Sequence, residues 1–289
     1  MCVTCGCSGD NNVKITNSQT GKTKLVEAES ATPHTHRLSD GTVINHSHSV
    51  KTQDPSSVIK VSHLHGQMHG RKISLEQDIL KKNNLIAAQN RNWFQARNIL
   101  ALNLVSSPGA GKTTLLTRTL KDLQGEIALS VIEGDQETVN DAQKIRETGC
   151  KVVQINTGTG CHLEANMVQK GYQEIDPSPN SVVMIENVGN LVCPALFDLG
   201  EDAKVAILSV TEGDDKPLKY PHMFRASKVM ILTKIDLLPY VQFNVDRCFK
   251  YAQQVNPELI IFQVSAVTGE GLNNWYEWLS QVLRSKVKD

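Results

Sequence analysis

Short apolar runs recur along the chain from residue 100 onward, and amphipathic or polar segments separate them. Several runs are continuous stretches of Val, Ile and Leu, which is typical of strands that are buried on both faces. The predicted strands are residues 100–106, 127–133, 151–156, 182–187, 204–211, 228–233 and 259–264. Apolar positions at helical spacing predict helices at residues 112–123, 137–148, 162–170, 245–255 and 272–280. This alternation predicts an α/β fold, a mostly parallel sheet flanked by helices on both faces.

The N-terminal quarter of the chain has a different pattern. It contains few apolar side chains and many Ser, Thr, Asn, Asp, Gly and His residues, a composition typical of chains that stay disordered. Ser74 and Gln77 then fit a helix-capping box, which predicts a helix from Ser74 to about residue 98. We therefore predict a disordered, flexible arm over residues 1–72 and a folded domain over residues 73–289.

The charge balance excludes some classes of partner. Lys and Arg together number 30, as do Asp and Glu, so the formal net charge is zero and gives no support for binding nucleic acid or a membrane surface. No apolar stretch approaches the roughly 20 residues of a membrane helix, and no apolar signal segment opens the chain, so we expect a cytoplasmic protein. In that reducing compartment the seven cysteines are expected to be metal ligands or buried thiols, and we assign Cys150 and Cys248 to packing.

The segment SSPGAGKTT, residues 106–114, lies between a predicted strand and a predicted helix. Its glycines allow backbone N–H groups to point at phosphate oxygens, Lys112 supplies a cation for the β- and γ-phosphates, and Thr113 offers a hydroxyl to Mg²⁺. The G-x-x-x-x-G-K-[ST] pattern has Gly where this chain has Ser106, and the alternative interpretation is a Gly-rich turn without a ligand. We predict nucleotide contacts from Gly109, Ala110, Gly111, Lys112, Thr113 and Thr114.

Two later motifs favour guanine over adenine. The tetrapeptide TKID follows a predicted strand and resembles the N-K-x-D element of GTPases, with Thr233 in place of Asn. Asp236 would accept hydrogen bonds from the guanine N1–H and exocyclic amine, a donor pair that adenine lacks, while Lys234 packs over the base. SAVTGEG follows the last predicted strand and is similar to the loop whose backbone N–H groups contact the guanine oxygen, here through Ser265 and Ala266. Either motif alone could be an ordinary surface turn.

Two acidic residues are candidates for the metal-bound phosphates. Asp135 lies in a switch-type loop, IEGDQET, and Glu186 ends a predicted strand at the position of a Walker-B acid. We predict that both bind Mg²⁺ and that they act with Lys112 in GTP hydrolysis. Gly189 resembles the glycine whose N–H group senses the γ-phosphate. Each acid could instead be a solvated loop charge, and without an obvious Gln to position water we expect slow hydrolysis.

The first seven residues contain a dense set of thiols. Cys2, Cys5 and Cys7 form C-x-x-C-G-C, and three thiolates so close together can surround one ion. The α-amino group or Met1 could complete a square-planar set suited to Ni²⁺. The alternative is that these are reactive or incidental thiols.

A second candidate metal site is formed by Cys161, His162 and Cys193. Cys193 lies shortly after Gly189, so a metal held there would respond to whether GTP or GDP is bound. Cys161 and Cys193 could instead be small buried side chains, as free cysteines often are.

The arm also contains histidines, several of them in H-x-H pairs, that could bind metal ions weakly or belong to a solvated linker. They are His34, His36, His46, His48, His63, His65 and His69.

Taken together, these motifs resemble the HypB family, the GTPases that incorporate nickel into hydrogenases. The resemblance covers essentially the whole chain. It is carried by the N-terminal C-x-x-C-G-C, the histidine-bearing arm, SSPGAGKTT, EGDQET, NTGTGCHLEANMV, ENVGNLVCP, TEGDDKPLKYP, TKIDLLPY and SAVTGEGL.

This resemblance implies a GTPase that forms a homodimer on binding GTP and a nickel or zinc site at the dimer interface. The interface site would use Cys161, His162 and Cys193, the N-terminal cysteines would bind nickel tightly, and Lys219 would reach the neighbouring nucleotide. The implied partners are the nickel chaperone HypA and the large-subunit precursor of [NiFe] hydrogenase. The alternatives are a nickel storage protein with a vestigial nucleotide site and a maturation GTPase of the urease or cobalamin-enzyme type.

Overall fold

The computed structural model describes the backbone of residues 12–17, 23–27, 34–37, 43–46, 61–135, 140–158 and 160–288. Side chains are described over residues 78–134, 142–158 and 160–287. The strands are β1 (Asn12–Asn17), β2 (Thr23–Glu27), β3 (His34–Arg37), β4 (Val43–His46), β5 (Leu100–Ser106), β6 (Leu129–Asp135), β7 (Lys151–Asn156), β8 (Val182–Glu186), β9 (Ala203–Ser209), β10 (Val229–Thr233) and β11 (Ile260–Gln263).

The helices alternate with the strands from β5 onward. They are α1 (Val61–Gln95), α2 (Lys112–Asp122), α3 (Asn140–Arg146), α4 (Ala165–Ile175), α5 (Lys216–Lys219), α6 (Pro221–Ala226), α7 (Val245–Val255) and α8 (Leu272–Lys288), with short 3-10 turns at Cys193–Ala195 and Ile235–Tyr240. The sequence pattern misses α5 and α6, because four and six residues are too few to show a helical period.

Strands β5 to β11 form a parallel sheet in the order β11-β10-β9-β5-β8-β6-β7. Strands β5, β8 and β9 are buried at every residue, as the continuous apolar runs predict. The predicted α/β fold is confirmed, and β5, β7 and α7 have the predicted boundaries. The carboxyl ends of the parallel strands meet at one edge, where such sheets place their ligand sites.

Helices cover both faces of this sheet. On one face, Leu116 of α2 and Trp275 of α8 pack over Met184 of β8 in a single apolar cluster. On the other face, Phe94 of α1 and Tyr172 of α4 belong to a second cluster. Each such buried side chain contributes roughly 1.5–3 kcal/mol to stability, so both helical layers belong to the folded core.

The segment predicted to be a disordered arm contains regular structure where its residues are described. β1 pairs antiparallel with β2 and also with the edge strand β7, and β3 pairs with β4. The structure therefore describes strands within part of the predicted arm, where the sequence pattern predicts none. VKIT and TKLV alternate apolar and polar residues as strands do, but the polar composition around them hides this signal. The rest of the predicted arm up to residue 60 lies outside the described residues.

Helix α1 begins at Val61, well before the predicted start at Ser74. Val61, Leu64 and Met68 recur at helical spacing, but glycines and histidines lie between them and weaken the pattern. α1 is 35 residues long, yet among the described helices none is apolar enough over a sufficient length to cross a membrane.

Helix α1 packs closely on the loop between β8 and β9. Arg91 donates two hydrogen bonds to the carboxylate of Asp198, at 2.7 and 2.8 Å. Gly200 has a φ of +87°, and a Cβ atom there would lie 2.5 Å from the carbonyl oxygen of Ala87. Glycine is required at this position both for its conformation and for the close approach of α1.

Replacing this glycine tests the packing of α1. Gly200→Ala is expected to lower the free energy of unfolding by about 2–5 kcal/mol, combining left-handed backbone strain with a clash against α1. Gly125→Ala is the matched control, because Gly125 has a φ of +85° with nothing within 4 Å of its Cβ position, so only the strain of about 1–2 kcal/mol is expected. Urea unfolding of both variants measures the difference, and equal losses would contradict close packing of α1 at this loop.

Candidate functional site

The predicted phosphate loop joins β5 to α2 at the carboxyl edge of the sheet. Gly109 has a φ of +76°, and Gly111, at the N-cap of α2, has a φ of +89°. These left-handed conformations turn the backbone as the motif requires and favour glycine at both positions. The loop leads into the N-terminus of α2, where the helix dipole favours an anion.

Lys112 and Thr113 both bind the carboxylate of Glu186. The ammonium nitrogen of Lys112 lies 2.8 Å from Glu186 Oε1, and the hydroxyl of Thr113 donates to the same oxygen at 2.6 Å. Glu186 is only 2% exposed, and its second oxygen, Oε2, is buried without a hydrogen-bond partner among the described residues. An orphaned carboxylate oxygen beside a threonine hydroxyl fits Mg²⁺, which prefers oxygen ligands.

Asp135 and Thr114 are two further residues that the sequence predicts to bind the nucleotide or its Mg²⁺. Asp135 is the last residue of β6, and Glu133, two residues earlier, pairs in register with Glu186 of β8. The backbone of Asp135 therefore continues past Glu186 at the carboxyl edge, while its side chain is not described. Thr114 is exposed in the first turn of α2.

The TKID element contacts the phosphate loop directly. The hydroxyl of Thr233 donates to the carbonyl oxygen of Ala110 at 2.7 Å, and the ammonium of Lys234 donates to the carbonyl oxygen of Gly109 at the same distance. Lys234 has a φ of +60°, a conformation that costs energy for a residue with a side chain and recurs at functional sites. Asp236 follows in the 3-10 turn and is half-buried. The two predicted nucleotide motifs are thus neighbours.

The SAVTGEG loop is ordered by its own hydrogen bonds. The backbone N–H of Ser265 donates to the carbonyl oxygen of Glu270 at 2.9 Å, and the side chain of Ser265 accepts the N–H of Thr268. The N–H of Ser265 is therefore engaged within the loop and is not directed at a base. The carbonyl of Ala266 accepts a hydrogen bond from Arg118 of α2 at 3.1 Å, which holds this loop near the nucleotide motifs.

Cys161, His162 and Cys193 lie together, with one potential ligand atom of each within 4.8 Å of the others. The two sulfur atoms are 2.9 Å apart, and Cys161 Sγ lies 3.4 Å from His162 Nδ1. The imidazole packs on the ring of Phe197 with centroids 3.9 Å apart, and its Nε2 is buried without a hydrogen-bond partner among the described residues. Burial lowers the pKa of His162 to about 4, so the imidazole is neutral at pH 7, the form that binds metals.

The cluster draws its members from two loops that α1 holds together. Cys161 and His162 precede α4, and Cys193 begins the 3-10 turn after β8. Asn83 of α1 accepts the N–H of Ala165, the first residue of α4, at 2.9 Å and donates to the carbonyl of Asp198 at 2.7 Å.

Asn90, about two turns further along the same face of α1, makes the same kind of bridge. Its amide donates to the carbonyls of Ala165 and Leu199 at 2.8 and 2.9 Å. Sequence reasoning missed both asparagines. The available signal was that Asn83 and Asn90 share a helix face with Ala87 and Phe94, so that polar side chains fall on the buried side.

The remaining cysteines and histidines fall into two groups. Cys248 is fully buried in an apolar cluster and Cys150 is half-buried, and burial raises the pKa of each thiol to about 12. Both are therefore protonated packing residues, in agreement with the sequence prediction. Cys2, Cys5 and Cys7 lie outside the described residues, as do the side chains of the arm histidines, so their role in metal binding stays a prediction.

Residues 186–193, which we name the sensor segment, connect the two candidate sites. The segment begins at Glu186, which binds Lys112 and Thr113, and ends at Cys193 of the metal cluster. Between them, a Cβ atom on Gly189 would lie 3.2 Å from the backbone of Pro108 in the phosphate loop. The segment therefore touches the phosphate loop at two points before it reaches the cluster.

Comparisons with known proteins identify the family of this fold. Residues 100–263 match the family described as CobW/HypB/UreG, nucleotide-binding domain. The chain is 47% identical over 285 residues to the hydrogenase maturation factor HypB of Escherichia coli (strain K12), covering 96% of this chain and 98% of that protein. It is 56% identical over 230 residues to the hydrogenase maturation factor HypB of Rhizobium leguminosarum bv. viciae, covering 78% of this chain and 77% of that one.

Two crystal structures of similar chains extend the comparison. HypB from Archaeoglobus fulgidus superposes with a TM-score of 0.66 at 34% identity, covering 71% of this chain and 100% of that one. HypB from Helicobacter pylori in complex with nickel gives a TM-score of 0.66 at 36% identity, covering 71% of this chain and 96% of that one. With a matching family domain over more than half of its length and a relative aligned from end to end, the chain belongs to the HypB family of hydrogenase maturation factors.

Proposed function

We propose that this protein is a GTP-hydrolysing nickel metallochaperone that helps to insert nickel into the large subunit of [NiFe] hydrogenase. Nickel is its cargo, and nucleotide state and dimerisation control its release. The observation that carries this proposal is the sensor segment, whose first residue binds the phosphate-loop side chains and whose last residue is a thiol of the metal cluster. The relatives support the biological role, since they are hydrogenase maturation factors and one was crystallised with nickel.

In this proposal, nucleotide binding breaks the ion pair between Lys112 and Glu186 and gives each residue a new partner. Lys112 is paired with Glu186 at 2.8 Å, and an incoming γ-phosphate offers it a more highly charged partner. Thr113 and Glu186 would hold Mg²⁺, with Asp135 contributing from the end of β6. Magnesium held there would neutralise negative charge on the phosphates. When Lys112 moves to phosphate, Glu186 would exchange the lysine for Mg²⁺, and the start of the sensor segment must adjust.

Guanine is the base that the second half of the site fits best. Asp236 supplies the carboxylate for the N1–H and exocyclic amine, and Lys234 borders both the base position and the phosphate loop. Because the N–H of Ser265 is engaged within its own loop, we propose that contact with the guanine oxygen comes from Ala266, with Ser265 holding the loop in shape.

The metal cluster suits a cation that accepts sulfur and nitrogen ligands. Two thiols and a neutral imidazole fit Ni²⁺ or Zn²⁺, and three protein ligands leave positions for a partner to take the metal. We propose that Cys2, Cys5 and Cys7 form a separate nickel site in an arm of residues 1–72, joined to a GTP-binding domain of residues 73–289.

The proposed partners are a second copy of the chain, the nickel chaperone HypA and the hydrogenase large-subunit precursor. On GTP binding, two copies would pair with their metal clusters at the interface. Lys219 is available for such a contact, since its side chain is 62% exposed and its ion pair, at 2.7 Å, is with the partly exposed Asp215 four residues earlier.

Removing the phosphate-loop cation tests the nucleotide site. Lys112→Ala is expected to weaken GTP binding roughly 10- to 100-fold, the equivalent of one hydrogen bond to a charged group. Titration with a fluorescent GTP analogue measures the loss, and Lys121→Ala, at an exposed position of the same helix, is the control. Nickel binding by the N-terminal cysteines should persist in Lys112→Ala. Joint loss of both activities in a folded variant would contradict two separable sites.

Changing the base-recognising carboxylate tests guanine specificity. Asp236→Asn is expected to weaken GTP binding by roughly 100-fold or more and to favour xanthosine triphosphate, whose 2-carbonyl can accept the new amide N–H. Competition between the two nucleotides measures the switch, with Asp246→Asn at an exposed site as the control. Unchanged GTP affinity in Asp236→Asn would remove Asp236 from the base site.

The function itself is tested by nickel binding in the two nucleotide states. In a chain with Cys2, Cys5 and Cys7 changed to alanine, nickel affinity at the cluster is expected to differ between GDP and a non-hydrolysable GTP analogue. Cys193→Ser in that background should lose one metal equivalent, with affinity falling by at least about 100-fold, while Cys150→Ala should not.

Two results would overturn the proposal. If nickel binds with equal affinity in both nucleotide states, the coupled metallochaperone is excluded. If the protein binds nickel but does not turn over GTP with Lys112 and Asp236 intact, a storage protein with a vestigial nucleotide site is the better description.

A further inference from the structure

We infer that Asn187 is the positioning residue that couples the nucleotide site to His162. This inference rests on the proposed function, because it explains how one site affects the other. Asn187 directly follows Glu186 in the sensor segment and is only 1% exposed. It contacts neither the phosphate loop nor the ligand atoms of the cluster through any hydrogen bond found among the described residues, so its role has to be exerted through its neighbours.

One oxygen of Asn187 serves both sites. Its Oδ1 accepts the backbone N–H of Val188, within the sensor segment, at 3.0 Å. The same oxygen accepts the backbone N–H of Leu163, the residue after His162, at 3.1 Å. A movement of Val188 therefore changes the acceptor on which the backbone N–H of Leu163, next to His162, depends.

The rest of Asn187 is fixed, which makes this shared oxygen effective. Its backbone N–H donates to the carbonyl of Leu104 on β5 at 3.0 Å, and its side-chain amide donates to Asn103 Oδ1 at 3.2 Å. Asn103 in turn donates to Glu201 at 3.1 Å. With the amide held in one orientation, Oδ1 has a single position from which both N–H groups can be satisfied.

The same buried network reaches His162 from its other side. Glu201 pairs with Lys204, and the ammonium of Lys204 donates to the carbonyl of Phe197 at 3.0 Å. Phe197 packs on the ring of His162. Because these groups are buried, an unmade hydrogen bond is costly, and the network favours discrete arrangements over gradual stretching.

The nucleotide acts on this oxygen through its immediate neighbours. On one side, Glu186 binds Lys112 and Thr113, and on the other, Gly189 lies against Pro108. Phosphate binding that draws Lys112 away or displaces Gly189 shifts the backbone on either side of the fixed Asn187, at Glu186 and at residues 188–189. The N–H of Val188 then moves relative to Oδ1, and the Leu163 N–H with its neighbour His162 moves with it.

A purely structural asparagine would have a different effect. It would stabilise the metal loop equally with GDP and with GTP, so its removal would weaken metal binding by one factor in both states. A coupling residue instead sets the ratio between the two affinities. That ratio is the quantity to be measured.

The experiment uses the full-length chain with Cys2, Cys5 and Cys7 changed to alanine, titrated with nickel in the presence of GDP or of a non-hydrolysable GTP analogue with Mg²⁺. With Cys161, His162 and Cys193 unaltered, the nickel affinities measured with GDP and with the GTP analogue are expected to differ by about 5- to 150-fold, the range of typical allosteric coupling. Asn187→Ala is expected to reduce that ratio to within about twofold of one.

Asn187→Ser provides a milder version of the same change. Its hydroxyl can accept the adjacent Val188 N–H in a local turn but is too short to reach Leu163, so the ratio should fall while the fold of the sensor segment is kept. This variant carries the test if Asn187→Ala does not fold.

Asn256→Ala is the matched control. Asn256 donates to two backbone carbonyls, those of Phe224 and Ser227, at 3.2 and 2.8 Å, away from both sites. Its loss should lower the thermal midpoint, as the Asn187 variants do, and leave the nickel ratio at the unaltered value.

The outcomes separate this inference from the proposed function. A ratio of one in the unaltered cluster removes the nucleotide coupling itself. The nickel-affinity ratio of the chain with the unaltered cluster could also persist in both Asn187 variants, with nickel binding weakened equally in the two nucleotide states. That result overturns the assignment to Asn187 and leaves the nucleotide coupling in place. Loss of the ratio in the Asn187 variants but not in Asn256→Ala supports it.

Discussion

Glu186 brings a negative charge into the interior at the end of β8, where Lys112 and Thr113 bind one of its two oxygens. Burying a carboxylate is costly unless charge and hydrogen bonds compensate, so the phosphate loop and β8 hold each other in place. In the proposed function the arrangement is also poised for exchange, because the lysine and hydroxyl that satisfy Glu186 are the groups that a nucleotide and its magnesium ion would require. Replacing these partners need not unfold the region, but it must alter the segment that follows Glu186.

The segment after Glu186 can transmit such an alteration because its surroundings are rigid. Helix α1 fixes the two loops of the candidate metal cluster to one another through Asn83 and Asn90, whose amides bridge backbone groups on both sides. If the two loops could move independently, a shift of the backbone would leave the ligand atoms in place. Because α1 holds the loops together, such a shift moves the ligand atoms as well. The rigidity of α1 and the mobility required of the sensor segment are therefore complementary.

Much of the fold and the site could be predicted from the sequence, for identifiable reasons. Strands such as β5 and β7 are continuous apolar runs, and the phosphate loop and TKID are short motifs whose residues act locally. What the sequence did not yield are contacts between distant parts of the chain. The bridges made by Asn83 and Asn90 and the shared acceptor of Asn187 each depend on a partner that no local pattern identifies. The β1–β2 hairpin was missed for another reason, since its brief alternation lies within a strongly polar composition.

That hairpin has a consequence for the sheet as a whole. Strand β7 ends the parallel sheet, and without β1 its outer row of N–H and C=O groups would have no protein partner among the described strands. An uncovered sheet border of this kind invites pairing with other chains. Shortening the protein from its amino end would thus do more than remove potential metal ligands. It would expose the edge of β7, the strand that leads to Cys161, to pairing with strands of other molecules.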